Sequence, residues 1–476
     1  MKKIFRFLLF MFSIFIFMLG CIFNNLNVIL ISICSIWLNN IIYSIEKFNK
    51  RIVFFAFNIT FFTFLIGRLV VKSLTNYYDA YNFNKYGLDF YDFNIEKNTF
   101  ICLFISLLFL FLGFYIIEKK NKFNIKRKNN FSDYDINLIG KISRNLFYFT
   151  YIFNILILLE KAKFTNNVGY TELYSSYSSS YPIFVVKLAQ MNAILLFIYL
   201  ATKPTKRKCY VPISLYTISG VISLFVGQRN NFVLNIMIIL IYFCFRNLDS
   251  NNKKWLGKKH ALILIISLPL ILGTLNMVAN FRVDSKVEDR NNKIISKFLY
   301  DQGVSVNLIG YAQVFDNQLS SKKVYTFGRL ISFFNDNVIT KIIFNTKTYD
   351  AQSVESALYG NSFADSISYI ISPNRYINGW GYGSCYVAEL IKDFGFSGVM
   401  VGNFIIGIIL FYMRSFFESG IFRGAFALAM IRLLLYMPRD TTLSFVVSSF
   451  NIINILATIL VFAIFIVLEK NIIVKE

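Results

Sequence analysis

Runs of about twenty apolar residues recur from one end of this chain to the other, and they limit its fold more than any other feature. A helix needs roughly 17–25 such residues to cross the hydrocarbon core of a bilayer. Inside that core each backbone polar group must be satisfied within the element itself, so runs of this kind read as helices. Twelve segments meet or approach the length: 4–23, 26–45, 52–71, 100–117, 146–159, 183–201, 209–226, 232–245, 261–279, 394–413, 421–437 and 443–468. A chain of 476 residues would otherwise suggest several soluble domains, but 56% hydrophobic residues, 16% charged residues and a mean hydropathy of +0.54 exclude that class. With 54 Phe, 29 Tyr and only 6 Pro the chain is not disordered or fibrous. The reading is an all-α polytopic membrane protein of about twelve transmembrane helices.

Charge orients the bundle. The first run follows Met1-Lys2-Lys3, but no small-x-small cleavage site comes after it and a second run begins at once, so it reads as an uncleaved anchor. With the N-terminus in the cytoplasm, alternation of the spans puts 27 of the 49 Lys and Arg residues in cytoplasmic segments against 8 acids, a net charge of +19. The remaining 22 basic and 18 acidic residues leave +4 for the membrane and the outer side. The overall charge of +23 is therefore an insertion signal spread over short loops, and nucleic-acid binding loses its support. Both termini fall in the cytoplasm. The organisation is residues 1–279 with nine spans and basic cytoplasmic loops, 280–391 as a large outer loop, and 392–476 with three spans. Six cysteines, five of them in or at the ends of spans, form no CxxC or Cys/His spacing, so neither a disulfide framework nor a metal site is expected, and no cofactor.

The outer loop is 112 residues long, and two others, 72–99 and 160–182, are substantial. Loops of that size usually carry function. Within the largest, Phe327, Leu330, Ile331, Phe334, Val338, Ile339, Ile342 and Ile343 recur at helical spacing. Two readings stand: an amphipathic helix lying in the outer interface, or a helix of a small cap domain with its apolar face packed inward. Tyr170, Tyr174, Tyr177 and Tyr181 among serines, and Tyr369, Tyr376, Trp380 and Tyr382 among Asn and Gly, offer stacking faces with polar donors, as sugar recognition requires; an interfacial aromatic belt looks the same.

Six cations fall at one level near the outer ends of spans: Arg68, Lys187, Arg229, Arg282, Arg432 and Arg439. Any one of them can snorkel to the headgroups. Together, on the side that insertion depletes of positive charge, they suit a lipid phosphate or diphosphate, which Arg meets in bidentate fashion. No Asp or Glu lies at the middle of a span, as ion-coupled carriers need, and no DxD is present to hold a metal on a diphosphate. His260, the only histidine, belongs to a cytoplasmic loop, so a histidine base on the outer side is excluded. Glu389 precedes the tenth span with Asp393 one helical turn later, and a carboxylate there can accept a proton from an attacking hydroxyl or pair with Lys392 or an outer arginine.

The segment 381–399, Gly-Tyr-Gly-Ser-Cys-Tyr-Val-Ala-Glu-Leu-Ile-Lys-Asp-Phe-Gly-Phe-Ser-Gly-Val, resembles the "GsS-(aromatic)-aEl--(aromatic/Asp)-FG--G" stretch of bacterial O-antigen and capsule polysaccharide polymerases of the Wzy type. Gly227-Gln228-Arg229-Asn230-Asn231 is similar to their G-x-R outer hairpin, and Met437-Pro438-Arg439-Asp440 to their late arginine-containing turn. Cys385 stands where many members carry a second Ser. The likeness is architectural over the whole chain, with one fairly specific motif and two short ones. It implies a GT-C-like fold with a large periplasmic loop carrying amphipathic helices, in the bacterial inner membrane. It also implies a metal-independent, inverting glycosyltransferase that polymerises undecaprenyl-diphosphate-linked oligosaccharides at the outer leaflet. Arg229, Arg282 and Arg439, with Arg432, would then bind the diphosphate, and Glu389 would be the base or orient the arginines. Lys187, Arg68, Tyr382, Ser384 and Asp393 join as substrate-binding candidates. Membrane lipids, a chain-length regulator and a flippase of the same pathway are the implied partners. The rival readings are an O-antigen ligase, which generally uses a histidine in the large outer loop, and a lipid-linked oligosaccharide flippase.

Overall fold

The computed structural model describes residues 2–74, 92–121, 131–170, 172–249, 255, 294–335 and 349–473. No strand occurs among them. In chain order the helices are α1 (Lys2–Ile22), α2 (Leu26–Glu46), α3 (Phe48–Phe61), α4 (Gly67–Leu74), α5 (Phe93–Lys120), α6 (Asp133–Asn167), α7 (Glu172–Ser175), α8 (Ile183–Ala201), α9 (Lys206–Phe225) and α10 (Arg229–Asp249). There follow α11 (Ile294–Gln302), α12 (Asn307–Val314), α13 (Tyr325–Asn335), α14 (Val354–Tyr359), α15 (Phe363–Ile371), α16 (Pro373–Ile377), α17 (Tyr386–Glu418), α18 (Ile421–Leu434), α19 (Ser444–Ser449) and α20 (Ile452–Ile473). One π-helical segment, Phe62–Ile66, joins α3 to α4.

Ten stretches among the described residues are long and apolar enough to cross a membrane, and they coincide with ten of the twelve runs. The run 261–279 lies outside the described residues, as do Arg282 and His260. The run 421–437 becomes α18, whose 14 residues span about 21 Å at 1.5 Å each, short of a ~30 Å core, before the chain turns into the 3₁₀ helix Met437–Arg439. Helix starts are marked by side-chain acceptors: Asn25 Oδ1 takes Asn27 N and Val28 N ahead of α2, and Ser132 and Asp135 form a reciprocal capping box on α6.

The chain divides into two compact units. The first takes Met1–Lys122, Glu288–Phe411 and Leu435–Ser444. Its interior packs Tyr43, Phe54, Phe57, Phe61, Phe104 and Phe114, all fully buried, and threads amides between the spans. Asn40 Nδ2 donates to Asn58 Oδ1 at 3.2 Å and to Leu107 O at 3.3 Å, while Tyr386 Oη donates to Asn403 Oδ1 at 2.6 Å. Such bonds fix helix register where apolar contact alone cannot distinguish a neighbour from lipid. At one end, Arg51 is 4% exposed and locked to Glu118 through Nε at 2.9 Å, with its guanidinium 3.5 Å from the Tyr43 ring; Tyr43 Oη also donates to Glu118.

The second unit takes Phe123–Val287, Tyr412–Leu434 and Phe445–Glu476. There α6 lies along α8, with Asn192 Nδ2 donating to Phe147 O and Thr150 Oγ1, and Phe426 stacks on Phe450 at 4.5 Å. Exposed apolar side chains such as Phe5, Phe15, Ile183 and Ile459 on α1, α8 and α20 are what helices facing lipid present.

Candidate functional site

The motif 381–399 folds as a polar loop feeding the short first segment of α17. That helix is broken at Gly395, whose φ of +63° and ψ of −157° belong to a region open essentially to glycine. The break leaves Glu389 and Asp393 on the segment before it. Glu389 is 0% exposed, and its carboxyl accepts three hydrogen bonds. Ser384 Oγ donates to Oε1 at 2.7 Å, and Thr442 donates to Oε2 twice, from N at 2.8 Å and from Oγ1 at 2.7 Å. Two separate pieces of sequence, 381–399 and the turn after Arg439, are thus tied by one side chain. Asp393 does a related job: its Oδ2 accepts from Thr326 N at 2.6 Å and caps the start of α13. Tyr382 is half-buried, with its N donating to Ser368 Oγ at 3.0 Å and its ring edge-on to Tyr311. The Cys385 thiol, wholly buried and pushed up to about 12 by burial, is a packing group rather than a nucleophile.

Beside this tie lies a cavity of about 290 Å³, lined by residues of α13 with Arg329 and Ser332, by 361–363, and by Glu389, Asp440, Thr441 and Ser444. Gly328 makes its wall possible, since a Cβ there would meet Asn361 O at 1.9 Å. On the other side of α13, Phe327 and Phe334 are 45% and 57% exposed while Leu330 and Ile331 are half-buried, so this apolar face is only partly covered and both readings of it stand; 336–343 lie outside the described residues. Burial pushes the Asp440 carboxyl up from its ordinary value, against the bonds from Ser444 and Thr441 N and the charge of Arg329, which lower it. Asp365 is raised by burial in the same way, opposed by Ser356, Ser362 and again Arg329. Thr441 Oγ1 is buried and has no hydrogen-bond partner among the described residues.

The arginines fall in both units. In the first, Arg68 Nη1 donates to Tyr300 O at 3.1 Å, and its guanidinium lies 3.9 Å from the Tyr300 ring. Arg439 Nη1 reaches Gln302 O and Oε1 at 3.4 and 3.3 Å. Both therefore meet the C-terminal turn of α11, whose carbonyls attract cations. In the second unit, Arg432 donates from Nε to Asn235 Oδ1 and from Nη2 to Asn231 Oδ1, both at 3.0 Å. Those asparagines belong to the first turns of α10, the helix that Arg229 begins, so the structure joins Arg432 to the Gly227–Asn231 hairpin. No carboxylate among the described residues forms an ion pair with Arg432. Lys187 is exposed in the first turn or so of α8. Among the described residues no group of three or more His, Cys, Asp and Glu side chains is placed to hold a metal ion.

Three residues escaped the sequence reading. Arg329 sits on a helix picked out for its apolar residues, and only the fold shows that its polar side closes a cavity. Asp440 stood in the quoted turn without being singled out. Glu160 takes Tyr177 Oη, Ser179 Oγ, Ser180 N and Ser180 Oγ within 2.8 Å and so organises the Tyr/Ser loop of the second unit; an acid ahead of a serine-rich run was the available signal.

Long apolar helices enclosing a tied carboxylate and a small polar cavity define a polytopic membrane protein with an internal polar site. The family model described as O-antigen polysaccharide polymerase Wzy matches residues 4–471, and the chain belongs to that family. Membership places its activity in the polymerisation of O-antigen repeat units, with lipid-linked oligosaccharides in a membrane as substrates. No curated protein and no solved structure matches the chain.

Proposed function

We propose that this polymerase is a metal-independent, inverting glycosyltransferase of the GT-C class acting at the outer leaflet of the bacterial inner membrane. The terminal hydroxyl of one undecaprenyl-diphosphate-linked repeat unit attacks the anomeric carbon of the growing chain, and undecaprenyl diphosphate leaves. Arginines carry the leaving charge. The observation that supports this reading most is Arg432: a half-buried guanidinium held by two neutral amides is a cation whose charge the described protein does not balance. A diphosphate would balance it, next to the N-terminus of α10, where the helix dipole also favours an anion. In the first unit, Arg68 and Arg439 donate hydrogen bonds to described residues through Nη1 and lie over the Tyr300 and Phe64 rings, and each keeps further N–H groups with which a guanidinium can meet phosphate oxygens. Glu389 acts as a positioning residue in this scheme, because its oxygens are occupied by Ser384 and Thr442 and it thereby fixes the turn that carries Arg439.

The test is chain extension in cells lacking the native polymerase. Arg229→Ala and Arg439→Ala are each expected to remove the long-chain ladder from the surface glycan on gels, at normal protein level, leaving a single repeat unit on its acceptor. A full ladder from both variants would overturn the arginine mechanism. Loss of even the single unit on deletion of the chain would point to a ligase instead.

A further inference from the structure

We infer that the cavity beside α13 seats the terminal sugar of the acceptor repeat unit, and that Asp440 is the base which takes the proton from that sugar's attacking hydroxyl. This rests on the polymerase reading above and adds to it a second substrate subsite and a residue for the proton.

Lining chemistry decides what the cavity takes. Among the described residues its wall holds a single guanidinium, Arg329, the carboxyls of Glu389 and of Asp440, the latter drawn toward the neutral form by burial, and several hydroxyls and an amide. That set matches a neutral ring rich in hydroxyls better than a diphosphate, which calls for several cations. The cavity volume of about 290 Å³ is near the low end of ligand pockets, the scale of one sugar ring rather than of a whole repeat unit. The lining fits the same ligand. Tyr325 and Phe363, packed edge to face at 5.6 Å, supply an apolar wall for C–H faces, while Ser332, Asn361, Ser362 and Ser444 supply hydrogen bonds. Thr441 Oγ1, buried and without a partner among the described residues, is the polar atom that such a ligand would complete.

Of the two carboxyls in the wall, Asp440 is the better placed to receive a proton. Glu389 is 0% exposed and already accepts three hydrogen bonds, whereas Asp440 is half-buried and accepts from Thr441 N at 2.8 Å and from Ser444. Burial raises the Asp440 carboxyl above its ordinary value, the direction that strengthens a general base, while Ser444, Thr441 N and Arg329 oppose the rise. The balance of the step is complete with groups already named. The acceptor oxygen bonds to the anomeric carbon and gives its proton to Asp440. The bond from that carbon to the diphosphate oxygen breaks, and the electron pair stays on the diphosphate. Asp440 follows Arg439 directly, so proton acceptor and leaving-group cation are adjacent residues on one turn.

The experiment uses the full chain in lipid nanodiscs, with an undecaprenyl-diphosphate repeat unit as donor and the same unit on a non-cleavable phosphonate lipid as acceptor. Asp440→Asn should lower kcat by at least about 100-fold with the acceptor KM little changed, the size of a lost general base. Ser332→Trp, which fills the cavity without touching the base, should raise the acceptor KM at least about tenfold. Thermal melts of both proteins report whether each is folded. Wild-type kcat in Asp440→Asn, or an unchanged acceptor KM in Ser332→Trp, overturns the inference. Should Asp440→Asn fail to fold, the Ser332→Trp result alone decides whether the acceptor sits there. If the wild-type chain extends nothing from this donor, the polymerase chemistry itself is wrong and the inference falls with it; extension by the wild type with unaffected variants condemns the inference alone.

Discussion

At the scale of single residues, Glu389 shows how one buried carboxyl can tie two distant pieces of chain together. Burying a charge is costly unless donors surround it, and here three do, from Ser384 and from both N and Oγ1 of Thr442. Removing the acceptor strands those donors in a dry place. Glu389→Ala is therefore expected to cost about 1–3 kcal/mol, the range for leaving buried donors unsatisfied, and to lower the melting temperature of the detergent-solubilised protein by several degrees. Melting at the wild-type temperature would mean that the tie contributes little. The sequence pointed to this residue because it lies in a recognisable motif, and offered it as a base or as a partner of Lys392 or an outer arginine; that its described partners are Ser384 and Thr442 is something a one-dimensional reading cannot see. Asp393 followed the same course: a carboxylate one turn on from Glu389 reads as part of a site, and in the fold it caps α13 through Thr326 N. Arg329 was invisible for the opposite reason. An arginine on the polar side of an amphipathic helix is by default solvated, and Arg329 is indeed exposed; its place in a cavity wall appears only when residues 361–363 and 440–444, distant in the chain, come together beside it.

At the scale of elements, the spans were legible and their irregularities were not. Ten apolar runs became ten long helices because hydropathy over some twenty residues leaves the backbone no alternative in lipid. Nothing in the run 52–71 announced the π-helical turn Phe62–Ile66, which adds a residue to the turn and so resets the helix face just before Arg68. The break at Gly395 was half legible, as a glycine in a quoted motif whose φ of +63° only the structure shows. Gly395→Ala should destabilise the protein by about 1–3 kcal/mol, the usual cost of forcing a side chain into such a conformation, visible as a lowered melting temperature. An alanine variant as stable as the wild type would show that α17 can run on through this point unbroken. The buried Arg51–Glu118 pair is another product of packing: the two residues are 67 apart in the chain, and each looked like an ordinary basic or acidic group at a helix end.

At the scale of the whole molecule, the open matter is how many times the chain crosses. Ten long stretches among the described residues, the run 261–279 and α18 would make twelve, with both termini on one side. The weak member is α18. Its 14 residues supply about 21 Å, and the turn and 3₁₀ helix that follow add roughly 2 Å per residue, which brings the chain close to the ~30 Å of a hydrocarbon core. If α18 crosses, a fluorescent protein fused after Glu476 stays in the cytoplasm and fluoresces, as the net +19 of the segments assigned there also demands. Alkaline phosphatase placed in the exposed turn at 316–318 then lies outside and is active. An active phosphatase with a dark C-terminal fusion would mean an odd number of crossings. In that case α18 would have entered and left by the same face, and the turn bearing Arg439 and Asp440 would lie at the level of the cytoplasmic loops, where no outer-leaflet substrate reaches it. The two fusions thus test, by topology alone, a condition that the chemistry proposed for that turn cannot do without.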